Sequence, residues 1–394
     1  MATQAMPVDL AAMGCDGSGA RQHAVEQPLP EFIVSRLRAP GEPGNDLHQH
    51  NETYHMRNKI VPLTVLAALS QMAQAQSNVT IFGTLDMGAR LISNSGASTF
   101  KSVGDQGNLA NRLGFKGEED LGDGLKATFH LEMGILPDTG QSLGQTFGIG
   151  FFNREATVGL KGSFGQIKLG RDWTASYNSM WVYDPSYGFG VTDTTHVSHN
   201  LGQPTYFWTN NAVSYTLPAL GGFYGQVMAA PGEGSVNGRY VGGRFGYTSG
   251  PFDVSVAAGS QNVAGGKFKV ANVGASYDFD VVKIMALYNR ETVVDAKETR
   301  IVLGATVPFG ANYAFASYAR SSVSNYPGAS GASQLGAGYV YALSKRTALY
   351  GNVAFLDNRD TGQLSTTNIG SFGAQAPTPG GNSRGVEAGL RHIF

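Results

Sequence analysis

Cysteine is all but missing: the 394-residue chain carries one, Cys15. Neither a disulfide framework nor a cysteine-ligated zinc site can be built from it. Charge is scarce as well, at 14% of residues, and balanced, with 28 basic against 29 acidic side chains. Nothing in that balance attracts a polyanion such as nucleic acid. Four of the eight histidines (His23, His48, His50, His55) precede residue 56, leaving His130, His196, His199 and His392. Beyond Ala75 no run approaches the roughly 18 consecutive apolar residues of a membrane-spanning helix. What the chain has in abundance is glycine, 54 residues, with 17 Tyr and 21 Phe. That mixture is too aromatic for disorder and lacks the Gly-X-Y period of collagen. It suits many strands joined by tight turns.

An export signal begins late. From Met56 the sequence reads MRNKIVPLTVLAALSQMAQAQS: a basic start at Arg57 and Lys59, an apolar core from Ile60 to Leu69, then Ala73-Gln74-Ala75. This three-part pattern predicts cleavage between Ala75 and Gln76. Residues 1–55 are polar, contain Pro and Gly and lack sustained periodicity. They are expected to be a non-native or disordered extension, with Met56 the true start, 56–75 the signal and 76–394 one domain.

After the signal, segments of about ten residues alternate apolar with polar or small side chains. Period two puts the two sets on opposite faces of a strand. One face of the segment from Leu125 to Ile135 reads Leu125, Ala127, Phe129, Leu131, Met133, Ile135, and the other Lys126, Thr128, His130, Glu132, Gly134. Thr299, Ile301, Leu303, Ala305 and Val307 alternate likewise with Glu298, Arg300, Val302, Gly304 and Thr306. At the end of the chain Val386, Ala388, Leu390, His392 and Phe394 alternate with Gly385, Glu387, Gly389 and Arg391.

The predicted strands are 78–92, 110–117, 124–136, 151–161, 165–171, 208–217, 222–230, 238–248, 252–261, 267–279, 281–291, 297–308, 311–321, 332–343, 346–357 and 383–394. A sheet apolar on one side only, with charge and glycine on the other for about sixteen strands, either pairs into sandwiches or closes around water. In lipid, closure leaves no unpaired backbone edge. The expected fold is therefore all-β, a transmembrane antiparallel β-barrel of about sixteen strands, wide enough to leave an aqueous lumen. Tyr215, Tyr247, Tyr277, Tyr288, Tyr318, Tyr339, Tyr341 and Tyr350, near strand ends, are expected in the aromatic girdles at the two interfaces.

Several strings resemble the trimeric general porins of Gram-negative outer membranes, of the beta-proteobacterial type. They are Asn78 to Asp86 (NVTIFGTLD), Asn111 to Gly122 (NRLGFKGEEDLG), Phe152 to Leu160 (FNREATVGL), Phe164 to Arg171 (FGQIKLGR), Asn211 to Tyr215 (NAVSY), Leu343 to Thr347 (LSKRT) and the closing Arg391-His392-Ile393-Phe394. Together they span nearly all of residues 76–394. The resemblance implies a homotrimer in the outer-membrane lipid that passes small hydrophilic solutes and ions through a water-filled channel, with no cofactor. It also implies that Phe394 is read by the barrel-assembly machinery and that the long third loop folds into the barrel. Asp172 to Thr205 is the longest stretch without a clear strand, and it holds Trp173, Tyr177, Trp181, Tyr183 and Tyr187.

A constriction sorts solutes by width and by the field between facing charges, which low-dielectric walls focus. By resemblance, Arg112 and Arg154 match wall arginines that face the third loop. Arginine suits the place because it stays charged at every relevant pH. Acidic partners are expected from the loop, Asp184 first, then Asp172 and Asp193, with Arg171 at the loop's root. The family often carries a further arginine just before the Asn-x-Val-x-Tyr strand, where this chain has Trp208. That departure predicts weaker anion preference or a taste for flatter, partly apolar solutes. From Gln76 onward 23 basic and 22 acidic residues remain, so net charge does not give selectivity.

Three rival functions make different demands on the sequence. A membrane enzyme on a barrel needs a nucleophile or activated water beside a base; His196 and His199 could be two metal ligands, but no third has convincing spacing. A substrate-specific channel shares the fold and adds a binding site at the constriction. A secreted adhesin or β-solenoid would show a fixed 20–50-residue repeat, and none is present.

Overall fold

The computed structural model describes residues 78–198, 201, 207–233, 238–367 and 374–394. The expected extension, signal and cleavage site at Ala75 and Gln76 lie outside the described residues, as do His199 and Thr205.

One antiparallel sheet closes on itself. Its strands are Asn78–Asn94 (β1), Phe100–Asp105 (β2), Arg112–Gly122 (β3), Leu125–Leu136 (β4), Gln141–Ser142 (β5), Glu155–Gly162 (β6), Gly165–Trp173 (β7), Trp208–Thr216 (β8) and Phe223–Ala230 (β9). They continue as Tyr240–Ser249 (β10), Phe252–Val263 (β11), Gly266–Asp278 (β12), Lys283–Val293 (β13), Ala296–Phe309 (β14), Asn312–Ser324 (β15), Ala332–Ala342 (β16), Thr347–Asn358 (β17) and Asn382–Ile393 (β18). Along one edge of β1, residues 78–84 pair with β3 and 87–92 with β2. Thus β2 and β3 are two pieces of one wall strand, interrupted at residues 106–111. β5 is a short hairpin partner of the end of β4, outside the wall. Sixteen wall strands result. The periodicity did not foretell β2 or β5: Phe100–Asp105 is brief, and Gln141–Ser142 has only two residues.

Closure is made by β1 against β18, in register from Thr84 opposite Ile393 to Asn94 opposite Ser383. Phe394 completes it, exchanging two backbone hydrogen bonds with Gly83 at 3.0 and 3.1 Å. Its ring lies where a side chain on Gly83 would stand, so glycine at that position admits the terminal aromatic.

Burial is inverted relative to a soluble sheet. On β14, Ile301 and Leu303 are exposed while Glu298, Arg300, Val302 and Gly304 are buried; the outer face meets hydrocarbon and the polar face lines the lumen. The faces of β14 and β18 divide as the alternation predicts, whereas β4 alternates only from Glu132 onward and is half-buried on both faces before it. Tyr277, Tyr288, Tyr318, Tyr339 and Tyr341 stand exposed on the outer face. Tyr350 is a correction: it shares the inner face with Asn352 and donates to Asp86 at 2.6 Å. Tyrosine at a strand end reads the same from either face, and only parity along β17 separates them.

The connections β3–β4, β6–β7, β10–β11 and β14–β15 are brief, and the chain's last residue lies at their end. The opposite end carries the connection from β7 to β8, residues 174–207. By the rule of short periplasmic turns and long outer loops, the latter end faces outward.

Candidate channel constriction

The third loop enters the lumen at once. A short helix, Ala175–Met180 (α2; α1 is Leu143–Phe147), is capped by Thr174, whose Oγ1 accepts from Tyr177 N at 3.3 Å. It lies against β9–β12: Asn178 donates to Gln226 at 3.1 Å, Asn272 donates to the Ser176 carbonyl at 3.0 Å, and Arg244 donates to the Asn178 carbonyl at 2.8 Å. Tyr183 then donates to Asp253 at 2.6 Å. The loop crosses to the far wall, where Val191 N donates to Glu387 of β18 at 2.9 Å and Gln334 of β16 donates to the Asp193 carbonyl at 3.0 Å.

Glycines on the inner face trace this path. Tyr183 occupies the space a side chain on Gly274 would need, Pro185 that of Gly304 and Val191 that of Gly385, and Thr192 passes close over Gly336. The alternation of glycine with apolar residues therefore reports more than turn chemistry. It marks where a loop backbone presses on the wall.

The break in the wall meets the loop from the other side. At residues 106–111 the chain bends away from the sheet, held by Asp86, whose carboxylate accepts from the backbone of Gly107, Asn108 and Leu109 at 3.2, 2.9 and 2.7 Å. Leu109 and Ala110 pack on Phe189 of the loop, and Gly190 N donates to the Gln106 carbonyl at 2.9 Å. Glu387 ties the arrangement together: it pairs with Arg90 at 2.6 Å and accepts from Val191 N and from Asn352 at 2.9 Å each. The Asp86, Arg90 and Glu387 side chains are all buried. Sequence reasoning missed these three. Their signal was visible as charge on the polar face of the first and last strands, but which charges meet across closure follows only from register.

The expected site residues divide into four groups. Arg112 and Arg154 stand together on the wall: Arg154 bonds the Glu132 carboxylate and lies 5.3 Å over the Trp173 ring, and Glu132 sits in the field of both arginines. Asp172 joins a neighbouring polar set, pairing with Lys168 at 2.8 Å and accepting from Ser214 at 3.0 Å. Asp184 and Asp193 serve the loop's own fold. Asp184 accepts from Ser186 N, Ser186 Oγ and Thr194 Oγ1 at 2.8, 2.6 and 2.5 Å; Asp193 caps a turn through Thr195 N at 2.7 Å. Burial and the neighbouring charge of Asp193 push the Asp184 carboxyl up from its ordinary range. Across a small cavity it faces Arg300 of β14, a lumen arginine that sequence reasoning did not single out.

Arg171 and Trp208 belong to the loop's root. The guanidinium lies 4.7 Å over the Trp208 ring and bonds Asn210 and the Asn153 carbonyl. Trp208 in turn meets Trp173 edge to face at 5.6 Å, and Tyr177 and Phe207 complete an aromatic knot. Such rings are worth more than their buried area when packed edge to face. Trp208 thus anchors the loop where it leaves the wall.

A closed barrel, lipid-facing outside, with a loop folded across its lumen, agrees with what comparison finds. The model of the Gram-negative porin family matches residues 63–361. The chain belongs to the Gram-negative porin family. Outer membrane porin protein 32 of Delftia acidovorans is 35% identical over 369 residues, covering 86% of this chain and all of that one. An outer membrane porin protein of Bordetella pertussis is 27% identical over 379 residues, covering 77% and 96%. Among solved structures, the anion-selective porin from Comamonas acidovorans superposes with a TM-score of 0.72 at 32% identity, covering 81% of this chain and 100% of that one. OmpT of Vibrio cholerae in a trimer form shares the fold alone, with a TM-score of 0.57 at 17% identity and 81% and 99% coverage. The protein is an outer-membrane porin for passive diffusion of small hydrophilic solutes and ions, and its family is one of channels.

Proposed function

We propose that this porin prefers small hydrophilic anions over cations and that its selectivity is set where Arg112 and Arg154 face the third loop. The observation that carries the reading is an imbalance. The loop has no lysine or arginine, and its two carboxylates within the described residues are engaged in the loop's own hydrogen bonds. The wall contributes Arg112 and Arg154 against the one carboxylate of Glu132 and, where the bent segment meets it, Arg391, which donates to Asn108 at 2.7 Å. Low-dielectric walls focus such a field on a passing ion. The anion-selective Comamonas porin, similar over its whole length, supports the same direction. Trp208 in the place of a wall arginine makes the preference weaker than a third cation would.

Zero-current potential across a planar bilayer in a KCl gradient tests this. The sign should report chloride, and Arg112→Ala should move it toward potassium; a potassium-selective wild type would end the reading.

A second reading, a channel that briefly retains its solute, rests on a recess of about 500 Å3 between the constriction and the short-turn end. Lys116, His130, Glu155 and Lys168 line it beside Thr128 and Thr157. Saturable flux would favour retention, and flux linear in solute would favour simple diffusion.

The finer biology follows the same line. The porin works as a homotrimer without catalytic machinery, Phe394 is the mark read by the assembly machinery, and the signal is cut between Ala75 and Gln76. In this reading translation starts at Met56. A peptide from residues 1–55 in protein purified from outer membranes would contradict that.

A further inference from the structure

Between the constriction and the short-turn end, register lines up one row of polar side chains on the lumen wall: Thr80 of β1, Lys116 of β3, His130 of β4 and Thr157 of β6. The next row toward the constriction holds Glu132 and Glu155, opposite one another on β4 and β6. His130 reaches from the first row to both acids of the second. Its Nε2 lies 3.5 Å from one Glu132 carboxylate oxygen and its Nδ1 3.4 Å from one of Glu155. The Phe82 ring meets the imidazole edge to face at 5.3 Å and steadies its plane. With 18% of its side chain exposed, His130 borders the recess rather than lying sealed in the wall.

This geometry makes a chemical demand. A neutral imidazole has one N–H and one lone pair, so it donates to one carboxylate and turns a lone pair on the other; the imidazolium donates to both. The groups that face the ring come from every strand beside it. Lys116 stands directly across on β3, its Nζ 5.0 Å over the Phe82 ring of β1. Glu132 is bonded by Arg154 and lies in the field of Arg112. Glu155 pairs with Lys168 of β7 at 2.9 Å, and Lys168 pairs with Asp172 at 2.8 Å. At the mouth Glu118 is shared by Lys126 and Lys161. Around the ring, therefore, the cations Arg112, Arg154, Lys116 and Lys168 oppose the carboxylates Glu132, Glu155 and Asp172. A neutral imidazole leaves an excess of one positive charge, and the imidazolium makes it two.

We infer that His130 is a selectivity-determining residue, the titratable member of the wall field, whose protonation doubles the local positive excess that an ion meets beside the constriction. Histidine is the side chain whose ordinary charge change falls between about pH 5 and 8. Of the other two histidines among the described residues, His196 is sealed within the third loop and His392 is exposed on the lipid-facing side of β18. The inference deepens the proposed anion preference, resting on its wall-set field, and makes that preference depend on pH. One added charge at this range, partly screened by salt, should change the chloride-to-potassium permeability ratio by about twofold.

Zero-current potentials of the reconstituted porin in a KCl gradient, recorded from about pH 9 down to about pH 6, span the histidine's range. The wild-type potential should move toward chloride as pH falls. His130→Gln keeps a donor for the carboxylates and gains no charge, so its potential should stay near the wild type's alkaline value. His130→Lys carries its charge throughout and should stay near the acidic value. The Asp184 carboxyl titrates alike in all three proteins, so the difference between wild type and His130→Gln isolates the histidine. Single-channel conductance like that of the wild type at alkaline pH checks that each variant forms the barrel. A wild-type potential that is flat across the range, or a His130→Gln profile that follows the wild type's, would overturn the inference. So would an offset of equal size at every pH in His130→Gln, which would make the residue a structural link between two ion pairs. Failure of the anion reading looks different: a potassium-selective wild type whose potential still moves toward chloride on acidification, and only with His130 present, would end that reading and uphold this one.

Discussion

Two stretches of the barrel wall carry inward-facing polar residues and use them differently. Along β3–β7 the inner-face charges pair with one another across strands: Glu132 with Arg154, both buried beside Trp173, Glu155 with Lys168, and the more exposed Glu118 with Lys161. Along β10–β18 the inner face is covered by the third loop, and its polar groups and glycines are spent on holding that loop. On the proposed reading, the first stretch sets the field that a solute feels and the second sets the width of the passage. Selectivity and conductance should respond separately to mutations on the two sides.

The largest effect is expected at Glu387, where the two functions join. Glu387→Ala leaves Arg90 buried without its carboxylate and releases Val191 and Asn352. Removing one partner of a buried ion pair costs about 3–5 kcal/mol, so heat-induced loss of the folded band on gels should occur at clearly lower temperature, with noisier and larger conductance steps. Next is Gly274→Leu, which takes the place of the Tyr183 ring. Overpacking costs about 1–3 kcal/mol, and conductance should change while the zero-current potential keeps its sign.

On the open stretch, Arg154→Ala removes a charge and leaves Glu132 without its closest partner, so the potential should shift toward cations more than conductance changes. A shift in conductance alone would break the division between the two stretches. The smallest effect concerns pH. Asp184 has a carboxyl raised above the ordinary range, so acidification neutralises it before ordinary carboxylates. Protonation removes one negative charge from the loop, and anion preference should grow as pH falls. Asp184→Asn should flatten that dependence and resemble the wild type at low pH.

The barrel was legible because period-two alternation survives on nearly every strand, and lipid outside leaves its polar faces no alternative but the lumen. Arg112 and Arg154 were legible through the strings that contain them. The latch at Arg90 and Glu387 was hidden because its members are 297 residues apart and meet only when the first strand pairs with the last. The bend at 106–111 was hidden for a different reason: QGNLAN is a run of turn-forming and small residues that reads as an ordinary surface loop, and only the Asp86 carboxylate turns it inward. Asp184 shows the limit of reading charge from sequence. An acid in the right loop was expected to partner Arg112 and Arg154; its wall neighbour across a small cavity is Arg300, and Ser186 and Thr194 claim its carboxylate.

The division of labour can be tested most directly by recording zero-current potential and single-channel conductance on the same reconstituted protein for wild type, Arg112→Ala and Gly274→Leu. The potential should move toward potassium only in Arg112→Ala, and conductance should change chiefly in Gly274→Leu. Both quantities moving together in both variants, or neither moving in either, would contradict a channel whose charge and width are set by different walls.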